Sequence, residues 1–280
     1  MKGKVVVITG ATSGIGEVAA QRLAGMGARI VLVARDAARG QRTLTRLPSI
    51  GSGSTHSIHY GDLSRISESK RVAAEIAAAE PRIDVLINNA GALFGTRRLT
   101  ADNLEETFAT NHMAYFVLTL GLRASLLAAA PSRVVSTASD AHKGYMVDFA
   151  DLQGEKGYSA IRAYGRSKLC NILFTRELAR RWSATGVTAN CLHPGFVATR
   201  FGDGSGGFLS GVVRIAKMFA ITPEKGAETI VFLASSPDAA AISGEYFYKC
   251  RPATPTAGGR DDAAANRLWN ESAKLAGIET

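Results

Sequence analysis

The sequence predicts an α/β fold with a doubly wound, seven-stranded parallel sheet flanked by helices, and three observations predict it. Short runs rich in β-branched residues alternate with stretches of helical periodicity from end to end, the pattern of successive βαβ units. Several of those runs are continuously apolar, as in Val5 to Ile8 and Ile30 to Val33, which suits strands covered by helices on both faces. The chain has 280 residues, 46% hydrophobic and 20% charged, with no linker-like break. Residues 1–280 therefore read as one domain with its ligand at the carboxyl ends of the strands.

The elements follow in order. Strand Lys4–Thr9 leads through a glycine-rich turn into helix Gly14–Met26, and strand Arg29–Ala34 into helix Ala37–Leu47. Strand Thr55–Tyr60 precedes helix Glu68–Glu80, and strand Val85–Asn88 precedes a long helix, Asp102–Ala130. Its apolar core, Met113 to Leu122, is broken by Arg123 and is too short to cross a bilayer. Strand Arg133–Thr137, helix Tyr158–Thr185 and strand Val187–His193 come next, and helix Pro223–Ser235 and strand Glu245–Tyr248 close the pattern. Between them, 199–221 starts with Gly202, Gly204, Gly206 and Gly207 and continues as an amphipathic segment from Phe208. A glycine-hinged lid over the substrate and an ordinary surface helix both fit that periodicity.

The charge balance, 33 Lys and Arg against 24 Asp and Glu, gives +9. The positive residues are dispersed, for example Arg35, Arg39, Arg42 and Arg46 on one helix and Arg162, Arg166, Arg176, Arg180 and Arg181 on another. Without a dense basic block interleaved with aromatics, the excess favours a small anion or plain solubility over a nucleic-acid groove. Three separated cysteines, Cys170, Cys191 and Cys250, lack the spacing of a disulfide framework or a zinc site, so no metal is expected. Met1 to Lys4 run straight into a strand, leaving no room for a signal peptide; a cytoplasmic protein with no integral membrane segment is the expectation.

Gly10, Gly14 and Gly16, with Thr12, Ser13 and Ile15 between them, occupy the first strand-to-helix crossing. There a Rossmann fold needs a tight turn that brings backbone N–H groups and a helix N-terminus against a pyrophosphate. Strand two ends Val33-Ala34-Arg35-Asp36, where such a fold meets the adenosine ribose. An acidic tip would repel a 2′-phosphate by roughly 4 kcal/mol at contact with an effective dielectric near 20, whereas Arg35 can pair with one. NADP(H) is therefore preferred, while Asp36 keeps NAD(H) open.

Tyr164 and Lys168 lie four apart on a predicted helix, on one face. An ammonium beside a phenol favours phenolate, so the pair suits proton exchange. In the order and spacing of Thr9-Gly10 with Gly14 and Gly16, Asp62-Leu63, Asn88-Asn89-Ala90-Gly91, Asn111, Ser139, Tyr164 with Lys168, and Pro194-Gly195, the sequence resembles the short-chain dehydrogenase/reductase family over nearly its whole length. The stretches Ser139 to His142, Tyr164 to Leu169 and Leu173 to Leu178 look most like retinol-dehydrogenase and WW-domain-oxidoreductase-like members. One departure is Ala138, where relatives often carry a further serine.

The resemblance implies a catalytic set of Asn111, Ser139, Tyr164 and Lys168. Tyr164 would exchange the proton, Lys168 would bind the nicotinamide ribose and tune the tyrosine, Ser139 would bond the substrate oxygen, and Asn111 would hold water in a relay. Asp62 and Leu63 would flank the adenine, Asn89, Ala90 and Gly91 would form the floor beside the cofactor, and Pro194, Gly195, Val197 and Thr199 would meet its nicotinamide end. Leu93, Phe94, Tyr145, Phe196 and the lid make a mostly apolar pocket, with His142 as a further candidate wall, so the expected substrate is an apolar aldehyde, ketone or alcohol. A cofactor-binding regulatory protein without turnover is the competing class. Helices Asp102–Ala130 and Tyr158–Thr185 resemble the family's surfaces for a homodimer or homotetramer.

Overall fold

Val6, Val7 and Ile8 have no exposed surface, because strand β1 (Val5–Thr9) lies inside a sheet covered on both faces. The computed structural model describes residues 1–50, 55–196 and 221–280. The remaining strands are β2 (Arg29–Ala34), β3 (Ser57–Tyr60), β4 (Val85–Asn88), β5 (Ser132–Thr137), β6 (Val187–His193), β7 (Tyr246–Tyr248) and β8 (Arg251–Ala253). Their order is β3-β2-β1-β4-β5-β6-β7-β8. Strand side chains alternate between two cores: Val7, Val31, Val33, Leu86 and Val134 on one side, Val6, Ile8, Ile30, Leu32, Ile87 and Val135 on the other. That is the physical content of the continuous apolar runs.

The doubly wound class and the seven expected strands are present, all parallel to their neighbours up to β7. The eighth strand was not expected. It pairs antiparallel with β7 across a tight turn in which Lys249 (φ 50°) and Cys250 (φ 60°) both adopt left-handed backbone. The strand is only three residues long and carries Pro252, which fits an edge position and weakens any strand signal.

Helices α1 (Gly14–Gly25), α2 (Ala37–Arg46) and α3 (Ile66–Ala79) lie close to the expected bounds. The long helix expected over Asp102–Ala130 is instead α4 (Glu106–Phe108), a π-helical turn (Ala109–Met113), α5 (Ala114–Gly121) and α6 (Arg123–Ala128). It starts late because the Glu105 carboxylate caps it, accepting the N–H groups of Thr107 and Phe108 at 2.8 Å. Helix α7 (Ala160–Arg181) is trimmed at both ends, and the segment after residue 222 divides into α8 (Pro223–Gly226) and α9 (Glu228–Ser235). The expected lid lies outside the described residues except for Ile221.

A C-terminal helix, α10 (Asp262–Ala276), also escaped the sequence reading, although Asp261 caps it and Gly277 ends it in left-handed geometry. It packs on α7 and α5 through Trp269, which stacks on Phe174 (6.0 Å between centroids), meets Phe116 edge-on (5.0 Å) and lies under the Arg181 guanidinium (4.6 Å). Substituting Trp269→Ala empties that junction and is expected to lower stability by about 3–5 kcal/mol, read from the urea midpoint. A loss below about 1 kcal/mol would show that α10 is not part of the core.

Candidate functional site

The carboxyl ends of β1, β4 and β5 are joined by one buried polar knot. Thr9 Oγ1 accepts the N–H groups of Asn89 (2.9 Å) and Ala90 (3.0 Å), while the Asn89 amide donates to the carbonyls of Thr9 and Gly10 and accepts from the Thr137 hydroxyl. Asn89 thus spends its side chain on the scaffold. Above the knot, Gly10 turns at φ +65°, and a Cβ there would sit 2.6 Å from the Ala90 Cα. At Gly16 a Cβ would lie 2.4 Å from the Gly10 carbonyl oxygen. Thr12, Ser13 and Ile15 stay partly exposed on the turn, and the Ser13 side chain caps none of the α1 N–H groups. A backbone cradle at an uncapped helix N-terminus fits a pyrophosphate.

At the next strand tip, Arg35 is exposed and makes no hydrogen bond or ion pair among the described residues. Asp36 is committed elsewhere. Its carboxylate caps α2 by accepting the Arg39 N–H at 2.8 Å, and that bond holds its pKa below the usual carboxylate value. Asp62, past β3, accepts the Ser64 N–H and hydroxyl, and Leu63 packs partly buried against the larger core.

Tyr164 and Lys168 emerge from α7 below this cradle. The Lys168 side chain is 2% exposed and donates its Nζ to the Thr137 carbonyl at 3.0 Å, a carbonyl shared with the Asn171 amide. Nζ lies 5.5 Å from the Tyr164 ring centroid and 5.9 Å from that of Tyr115, whose hydroxyl donates to the Ala90 carbonyl. Burial pushes the Lys168 pKa down to about 7 and that of Tyr164 up to about 12. The expectation that the lysine depresses the tyrosine's pKa is therefore corrected: burial outweighs it, and the group drawing Tyr164 downward is the Ser139 hydroxyl bonded to it.

Asn111 sits in the π-helical turn with no exposed surface. Its amide donates to the Ala92 carbonyl and the Ser167 hydroxyl, both at 2.9 Å, and its Oδ1 accepts the Ala92 N–H at 2.8 Å. A Cβ on Gly91 would meet Asn111 Oδ1 and Lys168 Nζ, each at 3.4 Å, so the two groups converge on that glycine. The structure thus brings Ser139, Tyr164, Lys168 and Asn111 together at one place.

Of the expected substrate wall, Leu93 and Phe94 are partly buried, and the Phe94 carbonyl accepts the Tyr158 hydroxyl at 2.9 Å. Tyr145 lies on Gly165, where a Cβ would come within 2.4 Å of its ring; glycine beside Tyr164 makes that approach feasible. Phe196 is 54% exposed, and Gly195 turns at φ +89°. Pro194 is partly buried, whereas Val197 and Thr199 lie outside the described residues. His142 is not a pocket wall, because it has no exposed surface and both ring nitrogens are bonded internally. Sequence reasoning named Thr9 only as part of the glycine motif and missed Tyr115, Thr137, Ser167 and Asn171; Tyr115, one helical turn after Asn111, and Asn171, near Lys168, were the available signals. Among the described residues no His, Cys, Asp and Glu group could hold a metal ion. No helix among them is long and apolar enough to cross a membrane.

A family model described as short chain dehydrogenase matches residues 4–206. Retinol dehydrogenase 12 of Mus musculus is 39% identical over 277 residues, covering 99% of this chain and 87% of the relative, and retinol dehydrogenase 14 of Homo sapiens is 37% identical over 296, covering 99% and 88%. Among solved structures, a putative uncharacterized protein from Mycobacterium paratuberculosis superposes with a TM-score of 0.78 at 29% identity, over 99% of this chain and 95% of the other. A short chain dehydrogenase from Burkholderia cenocepacia J2315 in complex with NADP gives 0.69 at 25% identity, over 88% and 95%. Fold and site define an NAD(P)-dependent oxidoreductase acting on CH–OH and C=O groups. The chain belongs to the short-chain dehydrogenase family, with retinol dehydrogenases among its relatives.

Burial also lowers the pKa of His112, to about 3, and those of His142 and His193 below the ordinary 6.5. Burial disfavours the charged form of all three, so below pH 6.5 the unfolded chain binds protons that the folded one resists. Stability is expected to be full above about pH 6.5 and to fall toward pH 5, by up to about 1.4 kcal/mol per pH unit from His112, with His142 and His193 acting in the same direction. Urea midpoints measured between pH 7.5 and 5 check this, and a flat profile would contradict it.

Proposed function

We propose that the chain is an NADP(H)-dependent oxidoreductase that interconverts an apolar aldehyde or ketone and its alcohol, with Tyr164, Ser139, Lys168 and Asn111 as its working groups. One observation carries the reading: a partly exposed phenol hydrogen-bonded to a serine hydroxyl, beside a buried ammonium that converges with an asparagine on one glycine.

The nicotinamide, when bound, supplies or accepts the hydride at the substrate carbon. The Gly10 to Gly16 turn would hold its pyrophosphate, and Ala90, Gly91, Pro194 and Gly195 would border its nicotinamide half. In the reducing direction Tyr164, with a pKa near 12, is protonated at neutral pH and is the proton donor to the substrate oxygen. The Ser139 hydroxyl donates to the same oxygen as negative charge grows there. Lys168 as ammonium stabilises the phenolate left on Tyr164, and the charge it faces favours its own protonated form. Asn111, anchored to Ala92 and Ser167, keeps a polar group where a water could resupply that proton.

Arg35 supports the preference for NADP(H), because its guanidinium is exposed while Asp36, the rival contact, is held in the α2 cap. Leu93, Phe94, Tyr145 and Phe196 support an apolar substrate. Helix α10 covers the face of α5 and α7 that carries Phe116 and Phe174, so self-association would use another surface.

Tyr164→Phe is expected to lower kcat by about 10²–10⁴-fold while the fluorescence-titrated Kd for NADPH changes little; retained turnover would contradict the proton role. Arg35→Asp should raise the KM for NADPH by at least about tenfold and leave that for NADH within about threefold, since it replaces a charge-assisted bond with repulsion. An unchanged NADPH preference would remove Arg35 from the 2′-phosphate contact.

A further inference from the structure

Ser139 opens a short 3-10 turn, Asp140–His142, whose every backbone N–H is engaged. The Ser139 hydroxyl accepts the Ala141 N–H at 3.1 Å, and the Ser139 carbonyl accepts the His142 N–H at 3.1 Å. The same carbonyl lies 2.7 Å from His142 Nδ1. On the far side of the ring, Nε2 faces the backbone N–H of Thr256 at 3.3 Å. A backbone N–H only donates, so Nε2 accepts, and the single proton of the neutral ring sits on Nδ1 and is donated to Ser139.

The wall behind that ring comes from the C-terminal hairpin. Tyr246 of β7 meets the His142 ring edge-on at 5.3 Å, and its hydroxyl donates to Asp140 Oδ1 at 2.8 Å. Thr256 follows β8, the strand that extends the expected sheet. Burial requires partners for both ring nitrogens, and the partners present fix which way the ring faces. Here a ring flip would break both, and the shorter of the two reaches the residue whose hydroxyl meets the substrate.

We propose that His142 is a positioning residue: its Nδ1–H holds the Ser139 carbonyl and so aims the Ser139 hydroxyl at the substrate oxygen, with Thr256 and Tyr246 as the fixed wall. This rests on the reading of Ser139 as a catalytic group. The physical link is the Ser139 ψ angle, now 153°. Without the Nδ1–H bond the carbonyl keeps only the His142 N–H, and its peptide plane only the Asp140 N–H on His193 Nδ1, so ψ ranges more widely, the Ala141 N–H shifts from the Ser139 oxygen, and the hydroxyl is aimed less tightly. Misplacement of a reacting group by an ångström lowers turnover by on the order of a hundredfold.

Two substitutions separate positioning from packing. In His142→Asn the amide nitrogen takes the place of Nδ1 and keeps the Ser139 bond; in His142→Gln the amide reaches the place of Nε2 and keeps only the Thr256 side. The Gln variant should lose about tenfold to a hundredfold in kcat with its KM for NADPH unchanged, while the Asn variant stays within about threefold of the parent. Equal kcat in the two variants, whether unchanged or equally reduced, overturns the proposal. The second measurement needs no variant: ¹⁵N spectra of the histidine-labelled parent protein should show His142 protonated at Nδ1 and bare at Nε2, and the reverse tautomer overturns the proposal. Ser139→Ala, assayed alongside, keeps the two levels apart. Full activity in that variant defeats the catalytic reading itself, whereas an inactive Ser139→Ala with equal Asn and Gln variants defeats only the role given to His142.

Discussion

The central strands of a parallel sheet buried on both faces leave polar chemistry their ends to sit on. Val6 to Ile8 and Ile30 to Leu32 are covered on every side, so along these strands side-chain hydrogen-bonding groups gather where the strands stop. Thr9, Asn89 and Thr137 are those stops, and their mutual bonds lock β1, β4 and β5 into one rigid edge. The Thr137 carbonyl at that edge is the anchor for Lys168, and Lys168 lies against the Tyr164 ring. The phenol, the ammonium and the asparagine are thus placed by the same constraint that makes the core apolar.

Burial sets the electrostatics as well. Burial raises the Tyr164 pKa to about 12 and lowers that of Lys168 to about 7, so at neutral pH the phenol keeps its proton, unlike the phenolate that their spacing suggests. The ion pair is the form the site reaches when charge moves onto the substrate oxygen and the phenol gives up its proton. Preorganised groups that gain most when charge develops are the ones that accelerate a reaction.

Much of this was legible in the sequence. Periodicity gave seven strands in order, and the Gly10, Gly14 and Gly16 spacing located the cradle, because glycine is the one residue that fits backbone 2.4–2.6 Å from a would-be Cβ. The catalytic set was legible only through its resemblance to a family, since nothing in the spacing of Asn111 and Ser139 shows that the fold brings them to Tyr164. What the sequence hid was tertiary. The Glu105 carboxylate starts a helix about one turn later than its periodicity suggests, a proline disguises β8, and α10 is held by Trp269 against two distant aromatics. His142 was read as a pocket candidate because its two bonds, one to a neighbour in the turn and one to a backbone N–H at Thr256, leave no pattern in the chain.

The central claim is that this edge of the sheet reduces apolar carbonyls with NADPH. Initial rates over a panel of apolar aldehydes and ketones and of polar sugars, followed by nicotinamide absorbance with NADPH and NADH in parallel, test it most directly. The account predicts carbonyl-dependent consumption of NADPH with the apolar members and a lower kcat/KM with NADH. Turnover confined to sugars, or none with either nucleotide, would contradict it.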